Sequence, residues 1–571
     1  MFLRLLLRRV LAVLVPLALT STVYLYLYPL FHGCAFPLPD DSPSPNPVLS
    51  IPHLSPSFLT TLRGHLSSSP SSASPADSPI FRLLVLADPQ LEGDSSLPKP
   101  HEQLPARLSN YYADLRSSLR TKPPSATLST LRSVLRSLVH DDVPRAFRAA
   151  RKRLDLLGND YYLAHIYRTM HWWSAPTHVT VLGDLIGSQW VSEGEFEARG
   201  ARFWERVFQG GKRVEDHIAN GMGVEILGED EGWDRRVVNV VGNHDVGYAG
   251  DVSRGRIERF ERVFGRGEWD IKFQLPSTTS SSSSSSSSSL SVNGEDSEEK
   301  EGESPTIHLI NLNSLILDTP ALDPGIQTAA YEYLNGLLDQ RSPPVTGDRN
   351  RTFTLLLTHL PLHKKEGVCT DAPYFAFHEE DDSQDEPRFY EGGLKEQNHL
   401  SEYVSANAVL EGVFGMSGDE SVPGGGWGRN GLILTGHDHT GCDVVHFVNR
   451  TVAEESGWGW DAVRYRELER EKEKGMGVPA IREVTMRSMM GEYGGYAGLL
   501  SVWFDGEWQY RIQMCAAGVQ HIWWAVHVLD VVTVVLVVVW MCLCGSSPAS
   551  GVSAGKDARA RGKTKEKEKE Q

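Results

Sequence analysis

Five short apolar runs, each closed by a cluster of ligand-type residues, constrain this chain most. Phe81 to Ala87 runs into Asp88-Pro89-Gln90, and Val179 to Leu182 into Gly183-Asp184. Val237 to Val241 runs into Gly242-Asn243-His244-Asp245. Phe353 to Leu357 is followed by Thr358-His359, and Leu432 to Leu434 by Thr435-Gly436-His437-Asp438-His439. Runs this short, rich in β-branched and apolar residues and bounded by Gly or Pro, read as buried strands. Each places its polar cluster in the loop beyond its C-terminal end. Strands of one layered sheet bring such loops to a common edge, where ligand sites form in α/β folds. Gly183, Gly242 and Gly436 let the backbone turn tightly there. Asp, Asn and His converging from five loops make a mixed oxygen and nitrogen site, and two divalent cations can share it through one bridging carboxylate. A lone Gly-Asp or Thr-His is usually a turn or a satisfied histidine. Five clusters in this order, each behind a strand, point to a metal centre.

Two further apolar stretches bracket this region. Val10 to Leu30 carries no charge and is long enough for a bilayer core of about 30 Å. Arg4, Arg8 and Arg9 precede it and Asp40 and Asp41 follow, which places residues 1–9 in the cytosol and the following chain in the lumen or outside. Its length favours an uncleaved anchor over a signal peptide. Ile522 to Cys544 is the second span, and a basic tail from Lys556 to Lys569 puts 545–571 in the cytosol as well. Asp530 inside that span is costly in lipid, unless it lies near the interface or pairs with another helix.

Between the spans, 31–79 is rich in Pro and Ser and reads as a stalk, and 80–517 as the lumenal domain. Ser95 to Pro144 is loosely patterned, in part helical over Leu128 to Val139, and Lys152 to Trp173 reads as a helix. Ser280 to Ser289 is an unbroken run of serine followed by acidic residues, so 277–306 is a disordered insertion, and Glu379 to Glu386 is a second acidic loop. The formal charge of -17 argues against nucleic-acid binding. Sequons at Asn350 and Asn449 suit a secretory compartment. Cys369 and Cys442 each follow a motif at the same sheet edge, so a disulfide between them is expected, with two thiols as the alternative. Cys542 and Cys544, at the end of the second span, are candidates for palmitoylation or simply an inert pair.

From Phe81 to Asp443 the chain resembles the calcineurin-like metallophosphoesterase superfamily. The resemblance implies an α/β fold, a layered β-sandwich flanked by helices, here with one transmembrane helix at each end. It implies that Asp88 binds a first metal, that Asp184 bridges both, and that Asn243, His359 and His437 hold the second. His439 returns to the first metal. His244 is the implied catalytic histidine, donating to the leaving alcohol, with Asp245 orienting it. One departure stands out: the usual Asp-x-His of the first motif is Asp88-Pro89-Gln90 here. Either Gln90 ligates the first metal weakly or that ion keeps an open position; both favour manganese over zinc.

Asp88-Pro89-Gln90-Leu91-Glu92-Gly93, Gly183-Asp184-Leu185-Ile186, Gly242-Asn243-His244-Asp245-Val246-Gly247 and Thr358-His359-Leu360-Pro361-Leu362 together look like one subfamily. These are the endoplasmic-reticulum phosphodiesterases that remove ethanolamine phosphate from a mannose of the GPI glycan, using two manganese ions. By that resemblance GPI-anchored proteins are the substrates and their export is the process served. Lys567 and Lys569 resemble a dilysine signal read by coat-protein retrieval machinery. Two other readings remain: a lumenal phosphomonoesterase or nucleotide pyrophosphatase, and a metal-binding membrane adaptor without catalysis.

Overall fold

The computed structural model describes residues 2–39, 55–66, 80–93, 97–220, 223–276, 304–341, 351–379, 388–417, 419, 421, 426–449, 459–471, 478–490 and 494–545. The serine run, most of the second acidic loop, Asn350 of the first sequon, Arg450 and Thr451 of the second, and the basic tail beyond Gly545 lie outside the described residues. The chain divides into two units, Met1–Val23 with Ala525–Gln571, and Tyr24–Trp524.

In the larger unit the strands are β1 (Phe81–Leu86), β2 (His178–Val181), β3 (Lys212–Arg213), β4 (Gly223–Ile226), β5 (Arg236–Asn239), β6 (Trp269–Gln274), β7 (Thr306–Asn311) and β8 (Thr352–Leu357). They continue as β9 (Phe375–Phe377), β10 (Leu394–Gln397), β11 (Asn430–Thr435), β12 (Cys442–Asn449), β13 (Gly459–Arg464), β14 (Ala480–Thr485), β15 (Gly495–Phe504) and β16 (Trp508–Gly518). One sheet has the order β16-β15-β1-β2-β5-β3, and another β13-β12-β14-β11-β8-β7-β6-β4. β9 and β10 form a separate pair.

All five apolar runs are strands, and their pairing positions the motifs. β1, β2 and β5 lie parallel, with Leu86 beside Val181 and Val181 beside Asn239. β8 and β11 lie parallel, with Leu357 beside Leu434. Parallel neighbours in register end together, so the three loops of the first sheet leave from one edge and the two of the second from another. Alternation then builds the core. Phe81, Leu83 and Val85 join Phe353, Leu355, Leu357, Leu432 and Leu434 in one buried cluster. Leu84 and Leu86, on the opposite face of β1, are also fully buried. Burial on both faces is why these strands read as largely apolar runs and not as strict alternation.

Several expectations need correction. The stretch read as loosely patterned holds two regular helices, Leu104–Thr121 and Pro124–Ser137, and the next helix runs Val143–Ser174 instead of Lys152–Trp173. Pro124–Ser137 matches in part the helix expected over Leu128 to Val139, and its Leu128, Leu131 and Leu135, at helical spacing, stay exposed. Nor is the start of the presumed stalk a stalk. Cys34, Ala35 and Phe36 are buried, and Cys34 is disulfide-bonded to Cys515 of β16. Arg511 Nη1 donates to Leu38 O at 3.0 Å. Pro56–Leu66 is a helix that sets Phe58 against Trp173. Pro and Ser content signalled extension, but burial of Cys34, Ala35, Phe36 and Phe58, with the disulfide, ties these parts of the segment down.

Gln520–Cys544 of the C-terminal helix, which enters the smaller unit at Ala525, is the one described helix with the length and apolarity to cross a membrane. The N-terminal helix is Phe2–Tyr26 instead of Val10–Leu30: it takes Arg4, Arg8 and Arg9 into its first turns, and Tyr28–Phe31 is a separate turn. A span at each end is therefore supported at the C-terminal end alone. Thr22 Oγ1 donates to Asp530 Oδ2 at 2.9 Å, so the acidic residue of the second span pairs with the N-terminal helix.

Candidate metal centre

The motif loops meet as the pairing requires. Ligand atoms of Asp88, Asp184 and His359 all lie within 4.8 Å of one another, and all three residues are buried. Asn243 Oδ1 sits 2.9 Å from His359 Nε2 and 3.0 Å from His437 Nδ1. His359 Nδ1 faces Leu182 O at 2.8 Å, which holds the ring and leaves Nε2 toward the cluster. The His437 and His244 backbone N–H groups donate to Asp88 Oδ1 at 3.1 Å and Asp184 Oδ1 at 2.9 Å.

The backbone is bent to achieve this. Among the described residues, Asp88 (50°), Gln90 (43°), Asp184 (51°), His437 (71°) and Ala175 (47°) are the non-glycine residues with positive φ. Four of the five belong to the motifs. Such conformations cost about 1–3 kcal/mol each and persist where surrounding structure over-determines them. Gly242 is required by close approach: a Cβ there would meet Asp184 N at 2.0 Å. Gly183 combines a φ of 89° with a Cβ position 2.3 Å from His359 Nδ1.

The electrostatics are unbalanced. Asp88 Oδ2 is buried and has no hydrogen-bond partner. Burial, then the neighbouring Asp184, pushes the Asp88 carboxyl well above the usual range. Burial raises Asp184 too, but His359, His244 and His437 together draw it below its ordinary value. Burial lowers His359, and lowers His437 to about 3, so both imidazoles are neutral and have lone pairs to offer. Carboxylates, an amide carbonyl and neutral imidazoles around a partnerless buried oxygen fit divalent cations.

Three predicted residues take other positions. Gln90 Nε2 donates to Asp184 Oδ2 at 3.0 Å and faces His439 Nε2 at 3.2 Å, so Gln90 stands among the ligands as a donor. Asp245 does not reach the His244 ring: its carboxylate accepts from Ile186 N at 3.0 Å and Gly242 N at 2.9 Å. It ties the second motif loop to the third, and burial, then Asp184, pushes its carboxyl up. His439 is exposed at the edge of the cluster. His244 keeps its side chain 40% exposed, with Nε2 3.8 Å from Asp184 Oδ2, so the ring can meet a substrate from the solvent side.

A wider alignment supports the same grouping. Protein TED1 of Saccharomyces cerevisiae is 30% identical over 430 residues, covering 67% of this chain and 77% of its own. Metallophosphoesterase 1 of Danio rerio is 22% identical over 338 residues, covering 57% and 69%. The chain belongs to the metallophosphoesterase family. An uncharacterized protein of Schizosaccharomyces pombe is 25% identical over 394 residues, covering 67% and 80%. No family model matches. A solved structure titled "GAP50 the anchor in the inner membrane complex of Plasmodium" aligns at 9% identity over 76% of this chain and 89% of its own, with a TM-score of 0.26, too low to bear on the fold.

This metallophosphoesterase also uses residues that sequence reading missed. Ser488 Oγ donates to Asp88 O at 3.0 Å and its N–H reaches His439 O at 3.4 Å, clamping the first motif to the fifth. Lys364, five residues past His359, is buried and bonds Glu483 Oε1 at 3.0 Å and Oε2 at 3.1 Å. Glu483 also accepts from Leu362 N at 3.2 Å, and His446 Nε2 contacts its other oxygen. A glutamate inside the buried strand β14 was the available signal. The Cys369–Cys442 disulfide is present and joins the chain beyond the fourth motif to that beyond the fifth.

Proposed function

We propose that this metallophosphoesterase is a lumenal endoplasmic-reticulum phosphodiesterase that removes ethanolamine phosphate from a mannose of the GPI glycan, and so promotes export of GPI-anchored proteins. The observation that carries the enzymatic half is the buried, partnerless Asp88 Oδ2 inside a cluster with Asp184, Asn243, His359 and His437. Kinship with Protein TED1 and the motif resemblance support the choice of substrate. When bound, two divalent cations, manganese in this reading, supply Lewis-acid charge against the phosphoryl oxygens.

The chain's own residues do the rest. Asp88, Asp184, Asn243, His359 and His437 hold the cations, with His439 and Gln90 at the open side. His244 stands at the solvent face and gives a proton to the departing alcohol. Asp245, by pinning Gly242 and Ile186, fixes the turn from which His244 projects. The N-terminal helix is proposed as a second anchor, with both termini cytosolic; its exposed Val13, Leu17 and Leu19 suit lipid contact. Tethering at both ends holds the site near lipid-anchored substrates and raises their effective concentration.

The test is mass spectrometry of a GPI-anchored protein treated with the full-length enzyme and Mn²⁺. Loss of one ethanolamine phosphate is expected, falling at least about 100-fold in His244→Ala and further in Asp184→Asn. Hydrolysis of an aryl phosphodiester without any loss from the glycan would discard the GPI substrate. Metal binding without turnover on either would leave only the adaptor.

A further inference from the structure

A cavity of 410 Å³ opens beside the fifth motif, lined by Thr440, Arg464, Arg466, Arg482, Arg487 and Asp443 among others. Gly441, also in its wall, is two residues past His439, so their Cα atoms are at most about 7.6 Å apart. Arg487 precedes Ser488, the residue that clamps the Asp88 and His439 loops. The cavity is therefore next door to the metal centre.

Its charge is unusual for this molecule. Four guanidinium groups against one carboxylate leave a formal +3, in a chain whose net charge is -17. Three of the four arginines are held in place. Arg482 makes a bidentate pair with Asp443, Nε to Oδ1 at 2.8 Å and Nη2 to Oδ2 at 2.7 Å, and stacks on Tyr465 at 3.6 Å. Arg464 Nε donates to Val368 O at 2.6 Å. Arg487 stacks on Tyr496 at 3.8 Å, and its alkyl stem occupies the space that a side chain on Gly441 would need. Arg487 Nε is buried with no acceptor. Neither Arg466 nor Arg487 meets a carboxylate among the described residues. Fixed guanidinium groups with spare donors are the usual receptors for phosphate oxygens.

We propose that this cavity binds a second phosphate ester of the substrate, one that is held and not hydrolysed. The anion would dock on Arg466 and Arg487 while a neighbouring phosphate reaches the cluster around Asp184. A substrate with two phosphates would thus be gripped at both, which a single-phosphate ester cannot match. Only the naming of this anion as part of the substrate rests on the phosphodiesterase reading.

The test uses the full-length protein in detergent with a chelator, so that the metal centre, bearing uncompensated carboxylates, repels anions. Three probes are titrated: inorganic phosphate, phosphoethanolamine, and phosphatidylcholine vesicles with or without phosphatidylinositol. Binding should weaken with rising salt, and by at least tenfold in Arg466→Glu and in Arg487→Gln. Arg466 is exposed, so its variant keeps the test valid even where Arg487→Gln fails to fold, as near-ultraviolet circular dichroism would reveal. Binding of phosphoethanolamine identifies a glycan phosphate, and binding of phosphatidylinositol vesicles alone identifies the lipid phosphate of the anchor; either supports the site. No binding by any probe, or binding unchanged in Arg466→Glu, overturns it. Intact Mn²⁺-dependent hydrolysis with no such binding sinks the cavity alone, whereas chelator-resistant binding without turnover sinks the enzyme reading alone.

Discussion

Two buried charge clusters stand five residues apart on the same loop, at His359 and Lys364, and they are built on opposite terms. Around His359 the carboxylates of Asp88, Asp184 and Asp245 crowd together with neutral imidazoles, and the backbone is forced into left-handed conformations. Around Lys364 one ammonium, one carboxylate and His446 satisfy each other without such strain. Burial pushes Glu483 up, yet Lys364 and His446 hold it down to about 2. Burial and a like charge push Asp88 the other way. The first cluster is complete only with a cation from outside, and the second is complete in itself. Strain and imbalance mark a working site, while balance marks a brace.

The largest test of this contrast is removal of one carboxylate from each. Glu483→Ala leaves Lys364 buried and unpaired, which should cost about 3–5 kcal/mol in denaturant unfolding. Asp88→Asn, measured in chelator, should be neutral or stabilising because it relieves repulsion. Equal losses in both would erase the distinction.

Next comes the metal itself. Mn²⁺ at about 100 times its dissociation constant should stabilise the folded chain by about 2.7 kcal/mol. The shift, read as a rise in melting midpoint, should vanish in Asp184→Asn and persist in a variant of the exposed Lys365–Asp461 pair. A metal-independent melting midpoint in the wild type would contradict an incomplete first cluster.

The smallest effect is on the pH axis, at most about 1.4 kcal/mol per pH unit for each group. Without metal, folded Asp88 and Asp245 bind protons at higher pH than in the unfolded chain. Stability should therefore rise as pH falls through their raised values and level off below about 3.8, the ordinary carboxyl value. Saturating Mn²⁺ should remove that rise. Glu483 acts in the other sense: its contribution is full above about 4.5, the ordinary value, and is lost as pH falls toward about 2. Denaturant midpoints between pH 7 and pH 3, with Asp88→Asn alongside, separate the two; a flat chelated profile would count against the raised carboxyls.

These clusters were also unequally legible in sequence. The five motifs were readable because an apolar run and a ligand residue at a fixed offset leave few other structures for either. Strand pairing in parallel then does what the pattern implied. The roles inside the loops were not readable. Gln90 and Asp245 match a motif by position, but whether an amide donates or ligates, and which N–H a carboxylate finds, is decided by neighbours far away in sequence. Lys364, Glu483 and His446 come from three separate segments, the arginines of the cavity from two, Arg464 with Arg466 and Arg482 with Arg487, and no local spacing links one segment to the next. The helix Leu104–Thr121 was not read from the sequence, whereas Pro124–Ser137 was read in part, over Leu128 to Val139, from leucines at helical spacing.

The disulfide between Cys34 and Cys515 spans 481 positions. It makes nearly the whole larger unit a covalent ring, with the two outgoing chains leaving from one knot. A protease that makes one cut inside the ring opens it without releasing a fragment. In an oxidising compartment such a molecule stays covalently whole after a first cut, where a linear chain would fall into two pieces.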